Sequence, residues 1–263
     1  MEKKTPNSLP VVILVGGQGT RMRGDTPTKK ELVRVGGRPI LWHVMKIFTA
    51  YSHTRFILTL GHQAESLKRY FLEFEPMTRD FTLCLGNSGE VHYHETNRED
   101  DWQVTLADTG LHTNKGGRVR RVARYIDNDT FFVTYGDGVG DVNIDALLDF
   151  HRTHGRLATL TAVQARWQYG IVHADAEGQV DGFEEKPLLD HWINAGFMVF
   201  NRGVFDYLAD DETDLEKDTL PRLARDGQLM MYRHTGFWRS MDTFKEAEML
   251  DDLWRREKPW KVW

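Results

Sequence analysis

Cysteine is almost missing from this chain: Cys84 is the single one in 263 residues. It can close no internal disulfide and builds no cysteine metal cluster, which fits a reducing compartment. Long apolar runs are missing too. Met1 to Pro10 is polar and the apolar run after it stops within five residues, so neither a secretory signal nor a membrane span is read. The expected location is the cytoplasm. An excess of positive charge is also lacking. The formal net charge of −5 gives no bulk reason to expect nucleic acid or an acidic membrane as partner, so any positive site for phosphate must be local. There is no linker rich in Pro, Gly or Ser, and no internal repeat. A chain of this size reads as one domain over 1–263, with 209–263 as a smaller carboxyl-terminal lobe.

What is present is concentrated between Val11 and Arg21. An apolar run, Val-Val-Ile-Leu-Val, breaks at once into Gly16-Gly17-Gln18-Gly19-Thr20-Arg21. β-branched Val11, Val12, Ile13 and Val15 suit a strand covered on both faces. Gly16, Gly17 and Gly19 lack the Cβ that would hold backbone N–H groups away from an anion, and Arg21 adds a guanidinium fork for phosphate oxygens. Lys29 and Lys30 return cations to the same place before the next apolar run, Leu32 to Val35. A dinucleotide-binding turn would open a helix here, whereas Arg23-Gly24-Asp25-Thr26-Pro27 cannot start one, and the Walker pattern is absent. The plainer alternative is an ordinary strand connection.

Further on, strand-like runs alternate with amphipathic helical ones, which argues for an α/β sheet. Helices are expected over 40–51, 64–74, 116–125 and 142–154, and strands over 55–60, 131–135 and 228–234. From Phe81 to Asp108 the period changes to two, as in an antiparallel excursion. Phe131 to Tyr135 runs into Gly136-Asp137-Gly138, and ligands of open α/β sheets gather at the carboxyl ends of such strands. His92 and His94 share a strand face, but two ligands with no third nearby make a poor metal site. Arg118 to Arg124 reads as a helix with a solvated basic face and a buried side of Val119, Val122 and Ala123.

The Gly-Gly-x-Gly-Thr-Arg loop, the lysine nine residues on and the Gly-Asp-Gly after a central strand together resemble the sugar-1-phosphate nucleotidyltransferases. Within that family the segments Pro39-Ile-Leu-Trp-His43, Trp102-Gln-Val-Thr-Leu-Ala-Asp-Thr-Gly110, Gly116-Gly-Arg118, Trp192-Ile-Asn-Ala-Gly-Phe197, Met241-Asp-Thr243 and Pro259-Trp-Lys-Val-Trp263 are similar to the glucose-1-phosphate cytidylyltransferase branch. The likeness spans nearly the whole chain. It implies a Rossmann-like α/β fold with a mixed, mainly parallel central sheet flanked by helices and a smaller β-containing carboxyl-terminal lobe. It also implies condensation of a nucleoside triphosphate, CTP foremost, with a sugar 1-phosphate, α-D-glucose 1-phosphate foremost, releasing pyrophosphate with the help of Mg2+. A homo-oligomer is expected by the same likeness. Trp254, Trp260 and Trp263 are then expected to pack on the body or on a neighbouring subunit.

That chemistry brings two anions together and needs positive groups and backbone donors around a phosphate, but no general base, since the nucleophile is already ionised. By resemblance, Arg21 and Lys30 stabilise charge at the attacked phosphorus, and Asp137 and Asp242 are the metal ligands. Gly16, Gly17, Gly19, Thr20, Gly116 and Gly117 bind the nucleotide, while Arg118, Lys186 and Asn194 hold the sugar phosphate. Lys29 is the rival of Lys30. Asp141 is the rival of Asp137, unless it caps the following helix; an Asp-Gly turn is the plain alternative for Asp137. Three departures from the branch touch specificity: Val15 for the usual Ala, Lys115 for the usual Thr, and the apolar stretch Pro187-Leu-Leu-Asp-His-Trp192. They leave UTP, dTTP or another sugar 1-phosphate open, and a nucleotide-sugar-binding relative without turnover is the competing class.

Overall fold

Alternation along a fully buried strand sets the centre of the molecule. Val11, Ile13 and Val15 join a core cluster with Leu41, Leu147, Leu250 and Trp260, while Val12 and Leu14 join a second one with Val119, Met198 and Leu223. Successive side chains of a strand point to opposite faces, so this segment belongs at the middle of a sheet covered on both sides. Each such burial contributes about 1.5–3 kcal/mol. The glycine loop therefore starts from a firmly held strand end.

This computed structural model describes residues 8–17, 29–86, 89–94, 99, 101–166 and 169–263. In chain order the strands are β1 (Pro10–Leu14), β2 (Arg34–Val35), β3 (Arg38–Pro39), β4 (Arg55–Leu60), β5 (Phe81–Cys84), β6 (Glu90–Tyr93), β7 (Gln103–Asp108) and β8 (Thr130–Tyr135). They continue as β9 (Gly138–Gly140), β10 (Ala158–Arg166), β11 (Ile171–Ala174), β12 (Val180–Glu184), β13 (Leu188–Asn194), β14 (Met198–Asn201), β15 (Leu229–Arg233) and β16 (Trp238–Ser240). The α-helices are α1 (Ile40–Thr49), α2 (Ala64–Leu72), α3 (Phe74–Thr78), α4 (Lys115–Arg121), α5 (Ile144–His154), α6 (Leu220–Arg225) and α7 (Phe244–Arg256). None is long and apolar enough, among the described residues, to cross a membrane.

The main sheet runs β13-β10-β14-β8-β1-β4-β7, with β15 paired to β10. Strands β8, β1, β4 and β7 are parallel, and β14 turns antiparallel against β8. Strands β13 and β14 both lie antiparallel to β10, Asn194 opposite Ala162 and Phe200 opposite Ala158, as one strand interrupted between them. The interruption has Gly196 and Phe197 at positive φ, 76° and 44°. It leaves the Ala195 carbonyl to accept from Trp238 Nε1 at 2.9 Å.

Two expectations need correction. The period-two stretch is an antiparallel hairpin only over β5 and β6; β7 joins the main sheet parallel to β4 at its edge. Alternation reports a half-buried strand and carries no sign of its direction. The cap of α5 is Asn143, whose side chain accepts from the Ala146 amide at 2.9 Å, and not Asp141, which lies 3.0 Å from His234 Nε2.

The carboxyl-terminal residues reach several parts of the chain. Strand β15 extends the main sheet and β16 pairs with β9. Trp254, Trp260 and Trp263 close over His43 of α1, with Trp260 fully buried and its Nε1 donating to His43 Nδ1 at 3.3 Å. His43 Nε2 then carries the proton and donates to the Val35 carbonyl at 2.8 Å. Burial pushes this imidazole down to about 4. The tryptophan-rich end thus packs on the body of its own chain.

Candidate active site

Gly16 and Gly17 follow the carboxyl end of β1, and the loop is held from beneath by two cations. Arg118 is buried and donates to the carbonyls of Leu60, Gly110 and Leu111 at 3.0, 2.9 and 3.4 Å, and to Thr109 Oγ1 at 2.7 Å. A Cβ on Gly16 would come 2.2 Å from Arg118 Nη1, so the loop can rest on this guanidinium only as glycine. Lys29 Nζ donates to the Gly17 carbonyl at 2.7 Å and lies 3.3 Å from Glu31. Burial pushes the Glu31 carboxyl up to about 7 against the pull of Lys29. Arg21, Gly19 and Thr20 lie outside the described residues.

Lys30 points elsewhere. Its ammonium sits 2.7 Å from Asp137 and 2.7 Å from Asp242. The antiparallel pair β9–β16 brings these carboxylates together: Gly138 faces Ser240, and the Met241 amide donates to the Asp137 carbonyl at 2.9 Å. Asp242 is fixed in turn from the start of α7, where Glu246 accepts from the amides of Asp242 and Thr243 at 2.7 and 2.8 Å. Burial lowers the affinity of Lys30 for its proton, but the two carboxylates outweigh it and hold the ammonium above its usual range. Two carboxylates around one cation are the kind of donor set that a hard divalent ion takes when phosphate and water supply the rest.

A cavity of about 520 Å³ opens between these groups, lined by Gly16, Gly17, Lys30, Asp137, Lys115, Tyr135 and others. It sits at the carboxyl ends of β1 and β8. Lys115 lies 2.5 Å from Glu216, and Tyr135 donates its hydroxyl proton to the same carboxylate. Asn194 Nδ2 donates to the Tyr135 hydroxyl at 3.2 Å.

Four of the residues expected in ligand contact stand differently. Gly116 and Gly117 are buried in the first turn of α4 and do not line the cavity. A Cβ would meet the Thr213 carbonyl at 2.7 Å from Gly116 and Asp211 Cα at 2.6 Å from Gly117, so close helix packing accounts for both glycines. Arg118 lines the cavity, yet its donors are engaged by protein oxygens under the glycine loop. Lys186, at φ 48° between β12 and β13, is 61 % exposed, lies 3.4 Å from Glu185 and does not line the cavity. Lys29, the rival of Lys30 in the sequence, serves the loop from beneath, and Glu216 is the member that sequence reading passed over. Glu216 sits in the acidic run Asp210 to Asp218, which reads as a solvated face.

Comparison with known proteins places this chain in a family. Residues 10–246 match the family described as Nucleotidyl transferase. The chain is 43 % identical over 257 residues to the glucose-1-phosphate cytidylyltransferase of Salmonella typhi, covering 96 % of this chain and 98 % of that protein. It is 29 % identical over 248 residues to the mannose-1-phosphate guanyltransferase of Gibberella zeae, covering 91 % of this chain and 62 % of that one. Among solved structures, HddC from Yersinia pseudotuberculosis complexed with GMP-PN superimposes with a TM-score of 0.67 at 18 % identity, covering 93 % of this chain and 98 % of that chain, a likeness of fold. The chain belongs to the nucleotidyl transferase family and is a sugar-1-phosphate nucleotidyltransferase.

Proposed function

We propose that this chain condenses CTP with α-D-glucose 1-phosphate, giving CDP-glucose and pyrophosphate. The observation that carries the reading is Lys30 held 2.7 Å from both Asp137 and Asp242 at the edge of the glycine-loop cavity. The near full-length similarity to a glucose-1-phosphate cytidylyltransferase supports the choice of substrates.

In this reading the triphosphate lies along Gly16 and Gly17, whose backbone is kept rigid by Arg118 and Lys29 below it. The sugar phosphate approaches from the side of Asn194, and its oxygen attacks the α-phosphorus as pyrophosphate leaves on the opposite side. Fixed positive charge at the attacked phosphorus lowers the barrier, since repulsion between the anions and their loss of freedom are the main obstacles. Lys30 supplies it, joined by Arg21. Asp137 and Asp242 would hold Mg2+, which neutralises developing charge on phosphoryl oxygens. With no base in the scheme, rate should follow substrate ionisation and not the titration of a side chain. Work in the cytoplasm is consistent with the lone free cysteine. Assembly as a homo-oligomer is supported by apolar side chains left exposed on two hairpins, Leu83 and Val91 on one, Val172 and Phe183 on the other.

The deciding experiment is a grid of CTP, UTP, dTTP and GTP against several sugar 1-phosphates with Mg2+, read as pyrophosphate release. The expected result is turnover fastest with CTP and glucose 1-phosphate. Faster turnover with another pair would overturn the substrate assignment, and binding without turnover for every pair would favour a non-catalytic role.

A further inference from the structure

Four polar side chains from four separate elements meet beside the cavity: Lys115 of α4, Tyr135 at the end of β8, Asn194 at the end of β13, and Glu216 in a π-helical turn, Leu215–Thr219. Chemistry fixes the direction of every hydrogen bond among them. The Gly196 amide donates to Asn194 Oδ1 at 2.9 Å, so the other amide atom, 3.2 Å from the Tyr135 hydroxyl, must be the nitrogen. The hydroxyl oxygen accepts that N–H, which sends its own proton to Glu216, a carboxylate able only to accept. The second Glu216 oxygen meets Lys115 Nζ at 2.5 Å. Burial, followed by the charge of Glu216, holds the Tyr135 hydroxyl above its ordinary range, so it stays a donor.

Asp214 anchors the turn that carries Glu216, accepting from the amides of Glu216 and Lys217 at 3.0 and 2.9 Å. The chain of bonds is thus tied to backbone at both ends, at Gly196 and at Asp214. One Asn194 N–H is used within it, leaving the other to face a ligand as a donor. Lys115 and Tyr135 line the nucleotide cavity, so the same chain joins the two halves of the site.

We infer that Glu216 is a positioning residue for the sugar 1-phosphate: through Tyr135 it locks the Asn194 amide with its free N–H toward a sugar hydroxyl oxygen, and through Lys115 it links that lock to the bound nucleotide. The inference rests on the reading that Asn194 serves the sugar. It makes Asn194 selective for an acceptor. It also gives a physical use to Lys115, because a threonine there could form no ion pair with Glu216.

The test is steady-state kinetics of pyrophosphate release in wild type, Tyr135→Phe, Glu216→Leu, Glu216→Gln and the double variant Tyr135→Phe/Glu216→Leu, with KM measured for each substrate separately. Loss of one hydrogen bond should raise the glucose 1-phosphate KM about ten-fold in Tyr135→Phe and Glu216→Leu, with the CTP KM moving less than about two-fold. Glu216→Gln keeps an acceptor for Tyr135 and should recover most of the loss. The double variant should be no worse than the worse single one, because both changes cut the same chain. Tyr135→Phe removes a single oxygen and keeps the comparison informative even if Glu216→Leu does not fold. Unchanged glucose 1-phosphate KM in Tyr135→Phe, equal rises in both KM values, or additive losses in the double variant would overturn the inference while leaving the reaction intact. Wild-type protein that releases no pyrophosphate from any pair would overturn the reading itself, and the inference with it.

Discussion

The two parts of the site, which the proposed function gives to phosphate and to sugar, are built in opposite ways. On the phosphate side, Gly16, Gly17, Asp137 and Asp242 extend directly from strand ends, and two buried cations, Lys29 and Arg118, are committed to backbone carbonyls beneath them. On the sugar side, Lys115, Tyr135, Glu216 and Asn194 reach a common point from a helix, two strands and a π-helical turn, and their geometry depends on one another. Rigid scaffolding suits the part that meets every triphosphate alike, where charge must be positioned before reaction. A network of side chains suits the part that selects among sugars, because polar groups left unpaired by a wrong ligand are costly.

If this division holds, changes in the first half act on kcat and stability, and changes in the second on sugar KM. The largest effect is expected from Asp137→Ala and Asp242→Ala, each lowering kcat by about 10²–10³-fold, read as pyrophosphate release at saturating substrates. Next comes Lys29→Met, which strands the buried Glu31 and the Gly17 carbonyl. It should cost about 3 kcal/mol in urea unfolding at pH 8 and less at pH 5, where Glu31 takes up a proton. Adding Glu31→Gln should restore most of that loss; no restoration would mean the pair is not what stabilises the loop. Gly16→Ala drives a methyl onto Arg118 and should destabilise by about 1–3 kcal/mol, with a drop in kcat larger than any change in sugar KM.

The smallest effect concerns the buried histidine under the carboxyl-terminal tryptophans. His43 bonds the Val35 carbonyl, and burial lowers its imidazole from 6.5 to about 4. A histidine depressed in the folded state contributes stability above pH 6.5, and this is lost as pH falls through about 4. Thermal midpoints followed from pH 7 to pH 4 should therefore fall less steeply in His43→Gln. His53, lowered to about 4 by burial, would keep part of the slope in that variant. An unchanged slope would show that His43 is not among the groups that drive it.

Much of the phosphate half was legible in sequence because backbone makes it. An apolar run into glycines, and Gly-Asp-Gly after a strand, are local signals of a strand end, and they pointed to Gly16, Gly17 and Asp137, while Lys30 was preferred to Lys29 only by family resemblance. Asp242 lies far away along the chain and was reached only through family resemblance; nothing local announces that β16 will pair with β9. Arg118, Gly116 and Gly117 carried a motif from which ligand contact was expected by resemblance, and the structure engages all three in packing and hydrogen bonds within the protein. Their side chains and Cα atoms meet Leu60, Thr213 and Asp211, contacts made across the fold. The sugar half was least visible. Glu216 hides in an acidic run, and its partner Tyr135 resembles any core strand residue until tertiary structure brings the two together. Direction of pairing was equally hidden, since period two in β7 is the same whether its neighbour runs with it or against it.

The two carboxylates around Lys30 are the feature on which the rest depends, and metal binding reads them without turnover. Calorimetric titration of Mg2+ into the protein with CTP, corrected for the heat of Mg2+ binding to CTP alone and repeated on the double variant Asp137→Ala/Asp242→Ala, should leave a protein-dependent binding isotherm in wild type and none in the variant. Equal Mg2+ affinity in the two proteins would contradict the assignment of Asp137 and Asp242 as the metal-binding pair.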